Sequence, residues 1–201
     1  DNDNFNFLSA LLFPFTIPIR INNLLINFAY KLKKKEIFSI CVGNIYIGGT
    51  GKTPSTIKLF EILKKINPST VTAKKFYKSH NDEEKLLKQK TNFISGANRL
   101  EVINKAIKKK LQIIIFDDGL QDKKIDYNLK FVCFDSENWI GNGHLIPAGP
   151  LRENLNSLKK FDAVFLKYIK KPNSKILSII KKVNPKIKIF NSRYKINNLK
   201  S

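Results

Sequence analysis

Methionine is absent from the 201 residues, tryptophan occurs once, and there are only two cysteines. Cys41 and Cys133 lie far apart, each inside an apolar run. They read as small core residues in a reducing compartment, which excludes a disulfide framework. With only His80 and His144 beside them, no His/Cys metal cluster can be assembled. Negative charge is also scarce: 16 acidic residues face 37 basic ones, a net charge of +21. Such an excess favours an anionic partner, whether nucleic acid, acidic lipid or a phosphorylated substrate. An AT-rich genome, which enriches lysine codons, gives the same balance. No aromatic–basic RNA motif and no helix-turn-helix pattern accompanies the charge, so nucleic acid is not the expected partner. Long apolar runs are missing too. The uncharged stretch 5–19 is short for a membrane span and holds Pro14 and Pro18. It has neither a basic n-region before it nor a small-residue cleavage site after it, which argues against a signal peptide. Lacking an initiator methionine, the sequence is expected to be a piece of a longer chain.

What is present is ordinary for a globular domain: 42% hydrophobic and 26% charged residues, enough for one real core. Leu24, Leu25, Phe28, Ala29 and Leu32 fall at helical spacing, with Lys31, Lys33, Lys34 and Lys35 interleaved and following. An apolar helical face beside a lysine cluster suits a helix lying in an anionic bilayer surface. Packing against its own domain is the other use of such a face. Residues 1–35 are therefore read as a membrane-associating segment and 36–201 as the folded domain.

From residue 36 onward apolar strands alternate with amphipathic helices. Strands are expected at 37–42, 71–73, 92–95, 112–116, 131–134, 163–166 and 187–190. Helices are expected at 53–66, 83–90, 98–110 and 174–183, the first with Ile57, Phe60, Leu63 and Ile66 inward. Cys41 and Cys133 fall on or beside the most apolar strands. This alternation means βαβ units and a mainly parallel sheet with helices on both faces. In such sheets ligands bind at the carboxyl ends of the strands, so the loops that follow strands are the ones to read.

The first such loop is "GNIYIGGTGKTP", residues 43–54. Gly48, Gly49, Thr50 and Gly51 allow backbone N–H groups to turn toward phosphate oxygens at a helix N-terminus. Lys52 would contact the β- and γ-phosphates, and the Thr53 hydroxyl a Mg²⁺ ion. The strict P-loop pattern wants a glycine five residues before Gly51, where Tyr46 stands. A P-loop also needs an acid at the end of another apolar strand. "IIIFDDGLQ", residues 113–121, supplies Asp117 and Asp118. Two adjacent carboxylates there are costly unless a metal ion or solvent takes their charge. The third loop, "GNGHLIPAGPLRE" at 141–153, is dense in glycine and proline, which fix an irregular backbone. Arg152 could grip a phosphate, and Glu153 a metal or a sugar hydroxyl. On these residues alone, a soluble P-loop kinase or synthetase acting on a small metabolite stays open.

In this order and spacing, "VGNIYIGGTGKTP", "DDGLQ" and "GNGHLIPAGPLRE", together with "SGANR" at 95–99, resemble the tetraacyldisaccharide 4'-kinase family. That family phosphorylates the 4'-hydroxyl of an acylated disaccharide 1-phosphate in the lipid A pathway. The resemblance implies a P-loop α/β kinase fold, ATP and Mg²⁺ as cofactors, and work at the cytoplasmic face of the bacterial inner membrane. It implies nucleotide binding by Gly48, Gly49, Thr50, Gly51, Lys52 and Thr53. It implies metal binding by Thr53, Asp117 and Glu153, and substrate contacts from Asn44, Gln121 and Arg152. Asp82, in "NDEE", matches a catalytic aspartate of the family; Asp117 and Asp118 are the other catalytic candidates. The pattern departs at three places. Asp122 stands where the family usually has His, His144 where Arg is common, and residues 73–77 read Ala-Lys-Lys-Phe-Tyr in place of a segment containing Ser-Arg-Gly-Tyr. Family members also continue into a C-terminal region with a histidine that partners the catalytic aspartate, so this chain is expected to be a fragment, and inactive alone.

Overall fold

The computed structural model describes residues 7–21, 37–76, 81–122, 124–169, 171 and 173–193. The expected helical face from Leu24 to Leu32 and its lysine cluster lie outside these residues. The chain begins with a short helix, α1 (Phe7–Leu12), a 3-10 turn (Phe13–Phe15) and further helix at 16–21. Then come β1 (Phe38–Gly43), α2 (Lys52–Ile66), β2 (Thr70–Lys75), α3 (Asn81–Lys90), β3 (Phe93–Gly96), α4 (Arg99–Lys108) and β4 (Ile113–Asp117). The second half holds β5 (Leu129–Asp135), a 3-10 segment (Leu155–Lys160), β6 (Ala163–Lys167), α5 (Ser174–Val183) and β7 (Lys188–Ser192).

All the strands join one sheet of seven, in the order β3-β2-β4-β1-β5-β6-β7, and every pairing is parallel. β1 therefore sits in the middle. The chain leaves it toward β2 and β3, returns through β4, and then continues on the far side with β5. That reversal opens a crevice at the carboxyl ends of β1, β4 and β5. Right-handed crossovers place α2 and α3 on one face and α4 and α5 on the other.

Packing follows this division. Val102, Ile103 and Ala106 of α4 cover Cys41, Val71, Ala73, Ile114 and Phe116. Ile176 and Ile180 of α5 cover Val132, Phe134, Val164 and Leu166. On the opposite face Phe60 of α2, with Leu59 and Leu63, covers Ile40, Val42, Ile115 and Cys133. Each fully buried side chain such as Phe116 or Phe134 contributes about 1.5–3 kcal/mol. Helix starts are set by their caps: Asn98 accepts from the Glu101 amide and Asn173 from those of Lys175 and Ile176. The expected inward face of α2 is corrected at both ends. Ile66 is 76% exposed, and the buried residues of the helix are Thr53, Thr56 and Phe60. Two threonines face inward because a carboxylate waits beneath them.

Candidate functional site

The loop after β1 has a paired inner half and a glycine-rich outer half. Residues 45–47 lie against 150–152 through an isolated antiparallel bridge: Tyr46 pairs with Leu151, Ile47 N–H donates to Pro150 O at 2.8 Å, and Arg152 N–H to Ile45 O at 2.7 Å. This explains Tyr46. Position 46 is not among the positive-φ residues and so has no need of glycine, whereas Gly48 (φ 127°) and Gly51 (φ 81°) occupy the region where glycine is favoured. Asn44 is wholly buried, and its amide donates to Thr50 Oγ1 at 3.1 Å and Gly48 O at 3.3 Å. Its side chain thus braces the loop from within. Lys52 is the first residue of α2, with Thr53 next and Pro54 tolerated in the first turn.

Asp117 closes the floor of the site. It is fully buried at the end of β4, beside β1. Oδ2 accepts from Thr53 Oγ1 at 2.9 Å and from Lys74 Nζ at 3.1 Å; Oδ1 accepts from Thr56 Oγ1 at 3.1 Å. Lys74 also pairs with Glu83 in the first turn of α3. Burial disfavours the charge on Lys74, but Asp117 and Glu83 outweigh it and hold the ammonium above its usual range. Burial likewise pushes the Asp117 carboxyl up, against the pull of Lys74 and Thr53. With three donors on its two oxygens, Asp117 orients Thr53 and Thr56. Oxygen donors of this kind, a hydroxyl held by a carboxylate, fit Mg²⁺, which keeps several waters and takes few protein ligands. Among the described residues no group of three or more His, Cys, Asp or Glu gathers as a dedicated metal cage.

Asp118, one residue on, is differently placed. Its backbone is left-handed (φ 63°). Its N–H donates to Val42 O at 2.8 Å, and its carbonyl accepts from Arg99 Nη2 at 2.7 Å. Arg99 is buried and also pairs with Asp122 at 2.8 Å. The Asp118 carboxylate is partly exposed and faces Arg152 at 3.5 Å. Gly119 leaves room for this turn, since a Cβ there would stand 2.7 Å from Tyr127 Oη and 2.9 Å from Arg99 Nε. Gln121 Nε2 donates to Asn44 O at 2.9 Å and to Glu153 Oε1 at 3.1 Å, tying the P-loop to the 141–153 segment. Thus Asp117, Asp118, Gln121, Arg152 and Glu153 converge on the P-loop. Asp82 is exposed on the first turn of α3, and it is its neighbour Glu83 that reaches Lys74.

Sequence reasoning missed Lys74, Glu83 and Thr56. In the sequence Lys74 stands beside Lys75, with nothing local to mark it as the buried one. Both cysteines are buried and free, as expected, and burial pushes the Cys133 thiol up to about 12. On the surface, Phe7, Leu11 and Phe15 are 60% exposed or more. The 141–153 segment touches this apolar end: Asn142 Nδ2 donates to Ser9 Oγ at 3.3 Å, and the His144 and Phe13 rings meet edge-on at 5.6 Å.

A glycine loop between a central strand and a helix, with Lys-Thr at the helix start and a buried aspartate on the next strand, defines a P-loop nucleotide-binding protein. Within that class, the chain belongs to the tetraacyldisaccharide-1-P 4'-kinase (LpxK) family, whose model matches residues 7–71 and 64–200. A tetraacyldisaccharide 4'-kinase of Pelagibacter ubique is 44% identical over 200 residues, 96% of this chain and 62% of the relative. One of Shewanella piezotolerans is 35% identical over 148 residues, 63% of this chain and 45% of the relative. The chain thus spans about half to three-fifths of the length of these curated relatives. The crystal structure of "apo" form LpxK from Aquifex aeolicus in complex with ATP shares the fold: TM-score 0.66 at 20% identity, covering 96% of this chain and 83% of that one.

Proposed function

We propose that this chain carries the catalytic core of an ATP-dependent kinase that phosphorylates the 4'-hydroxyl of a tetraacyldisaccharide 1-phosphate in lipid A biosynthesis. The observation that carries the reading is the Thr53–Asp117 hydrogen bond at 2.9 Å beneath a glycine loop to which the 147–153 segment is bound. Gly48, Gly49, Thr50 and Gly51 cradle the phosphates with backbone N–H groups, and Lys52 balances charge on the transferring group. A cleft of about 220 Å³ beside the loop, lined by Pro54, Ser55, Lys58, Lys167 and Arg193, gives the rest of the nucleotide room and positive charge. Thr53, oriented by Asp117, and Glu153 would hold Mg²⁺, which when bound neutralises phosphate charge. Arg152 grips an anionic oxygen, and Gln121 keeps Glu153 against the loop. Asp82 or Asp118, both reachable by solvent, accepts the proton of the sugar hydroxyl; the roles divide by environment, because Asp117 is buried beneath three donors.

The acceptor is an amphiphile, and the apolar surface of Phe7, Leu8, Leu11 and Phe15 suits a monotopic seat on an anionic bilayer, at the cytoplasmic face of the inner membrane. No helix among the described residues is long and apolar enough to cross a membrane. The test is transfer of labelled γ-phosphate from ATP to the purified disaccharide by the full-length protein. Transfer to a small soluble metabolite, with residues 1–35 dispensable and no need for detergent or lipid, would replace this reading with a soluble P-loop kinase.

A further inference from the structure

A lysine that is 4% exposed at the end of a strand calls for an explanation, because burying an ammonium costs several kcal/mol unless it is paired. The sheet register supplies one partner. β2 lies beside β4 with Ala73 opposite Phe116, so Lys74 and Asp117 come next to each other on the α2 face. The second partner arrives from another element: Glu83, in the first turn of α3, shares the same Nζ. One ammonium thus joins the floor of the P-loop site to the helix turn that carries Asp82.

We propose that Lys74 is a positioning residue for phosphoryl transfer, coupling the Asp117–Thr53 pair to the first turn of α3 and thereby setting where Asp82 stands relative to the phosphates. This rests on the kinase reading above. Three features favour coupling over mere charge burial. Asp117 already has two hydroxyl donors, so its solvation does not require a lysine. Glu83 is 43% exposed and could be solvated without Lys74, yet it turns toward it. The contact spans 43 residues of sequence and ties the carboxyl ends of two strands, β2 and β4. Small shifts of a reacting group are costly: a displacement of about 1 Å takes roughly 100-fold from a rate.

The experiment compares K74M, K74R and E83Q in the full-length protein, measuring kcat, KM for ATP and for the disaccharide, and binding of a fluorescent ATP analogue. K74M is expected to lose about 100-fold in kcat with nucleotide affinity changed less than about 3-fold. K74R, which keeps the charge and can fork to both carboxylates, restores most of it. E83Q shows a smaller loss in the same direction, and K74M/E83Q is no worse than K74M alone, because the two changes break one link. Wild-type kcat in K74M, a loss of nucleotide affinity as large as the loss of kcat, or additive effects in the double variant overturns the proposal. Should K74M fail to fold, E83Q decides: unchanged kcat overturns it. A wild-type protein that phosphorylates no disaccharide refutes the kinase reading instead, which separates the two failures.

Discussion

Asp117 and Asp118 are joined by one peptide bond, yet the regions around them are built in opposite ways. The Asp117 side is dry. Its carboxylate is enclosed by Thr53, Thr56 and Lys74, and all of these are buried. The Asp118 side is open: its carboxylate is 28% exposed, Arg152 is 3.5 Å away, and its left-handed backbone presents its carbonyl to Arg99. The first region is a fixed scaffold in which removing a partner strands a buried charge. The second is a surface where groups can meet a substrate and exchange protons. Identical side chains thus meet different electrostatic surroundings.

Four experiments break or sharpen this contrast. The largest effect is expected from K52A, which removes the cation of the cradle without opening the core; kcat/KM should fall by about 100- to 1000-fold with the melting temperature nearly unchanged. Next, the same substitution at the two neighbours should part them. D117N is expected to cost about 3 kcal/mol in urea unfolding, because Thr53, Thr56 and Lys74 lose a charged acceptor and Lys74 is left with the part-exposed Glu83. D118N should cost under about 1 kcal/mol, since asparagine accepts the left-handed backbone and an exposed pair contributes little. Equal costs at both sites would dissolve the contrast. T56V removes one donor from Asp117 and should cost about 1–3 kcal/mol, with a smaller loss of activity than K52A. The smallest effect concerns Cys133. With its pKa pushed up to about 12, the thiol stays protonated at pH 8, so native protein should resist a thiolate-directed reagent that labels both cysteines after unfolding.

Much of the fold was legible because its signals are local. The α5 boundaries, Ser174–Val183, follow from apolar spacing and the Asn173 cap. The all-parallel sheet follows from strand–helix alternation. Strand lengths were less legible: β5 runs from Leu129 to Asp135, beyond the apolar core at 131–134, because pairing with β1 and β6 extends it past its hydrophobic residues. The inward face of α2 was misjudged at Ile66, where periodicity continues but the sheet beneath has ended. Within the site, the glycine loop, the aspartate pair and the Arg-Glu pair could be read as strings. The bracing role of Asn44 could not: nothing local shows that its amide turns inward to Thr50.

The order of residues by itself determined that a phosphate-binding loop precedes a helix, that acids end an apolar strand, and that the two cysteines belong to the core. These depend on contacts between near neighbours along the chain, so composition and spacing suffice. Only the tertiary structure decided which aspartate is buried, that Lys74 and Glu83 enter the site, and why Tyr46 replaces a glycine. Those outcomes depend on β2 lying beside β4 and on residues 150–152 lying along 45–47, pairings between segments distant in sequence. Burial sets the charge and role of each group there, and burial is a property of the assembled sheet.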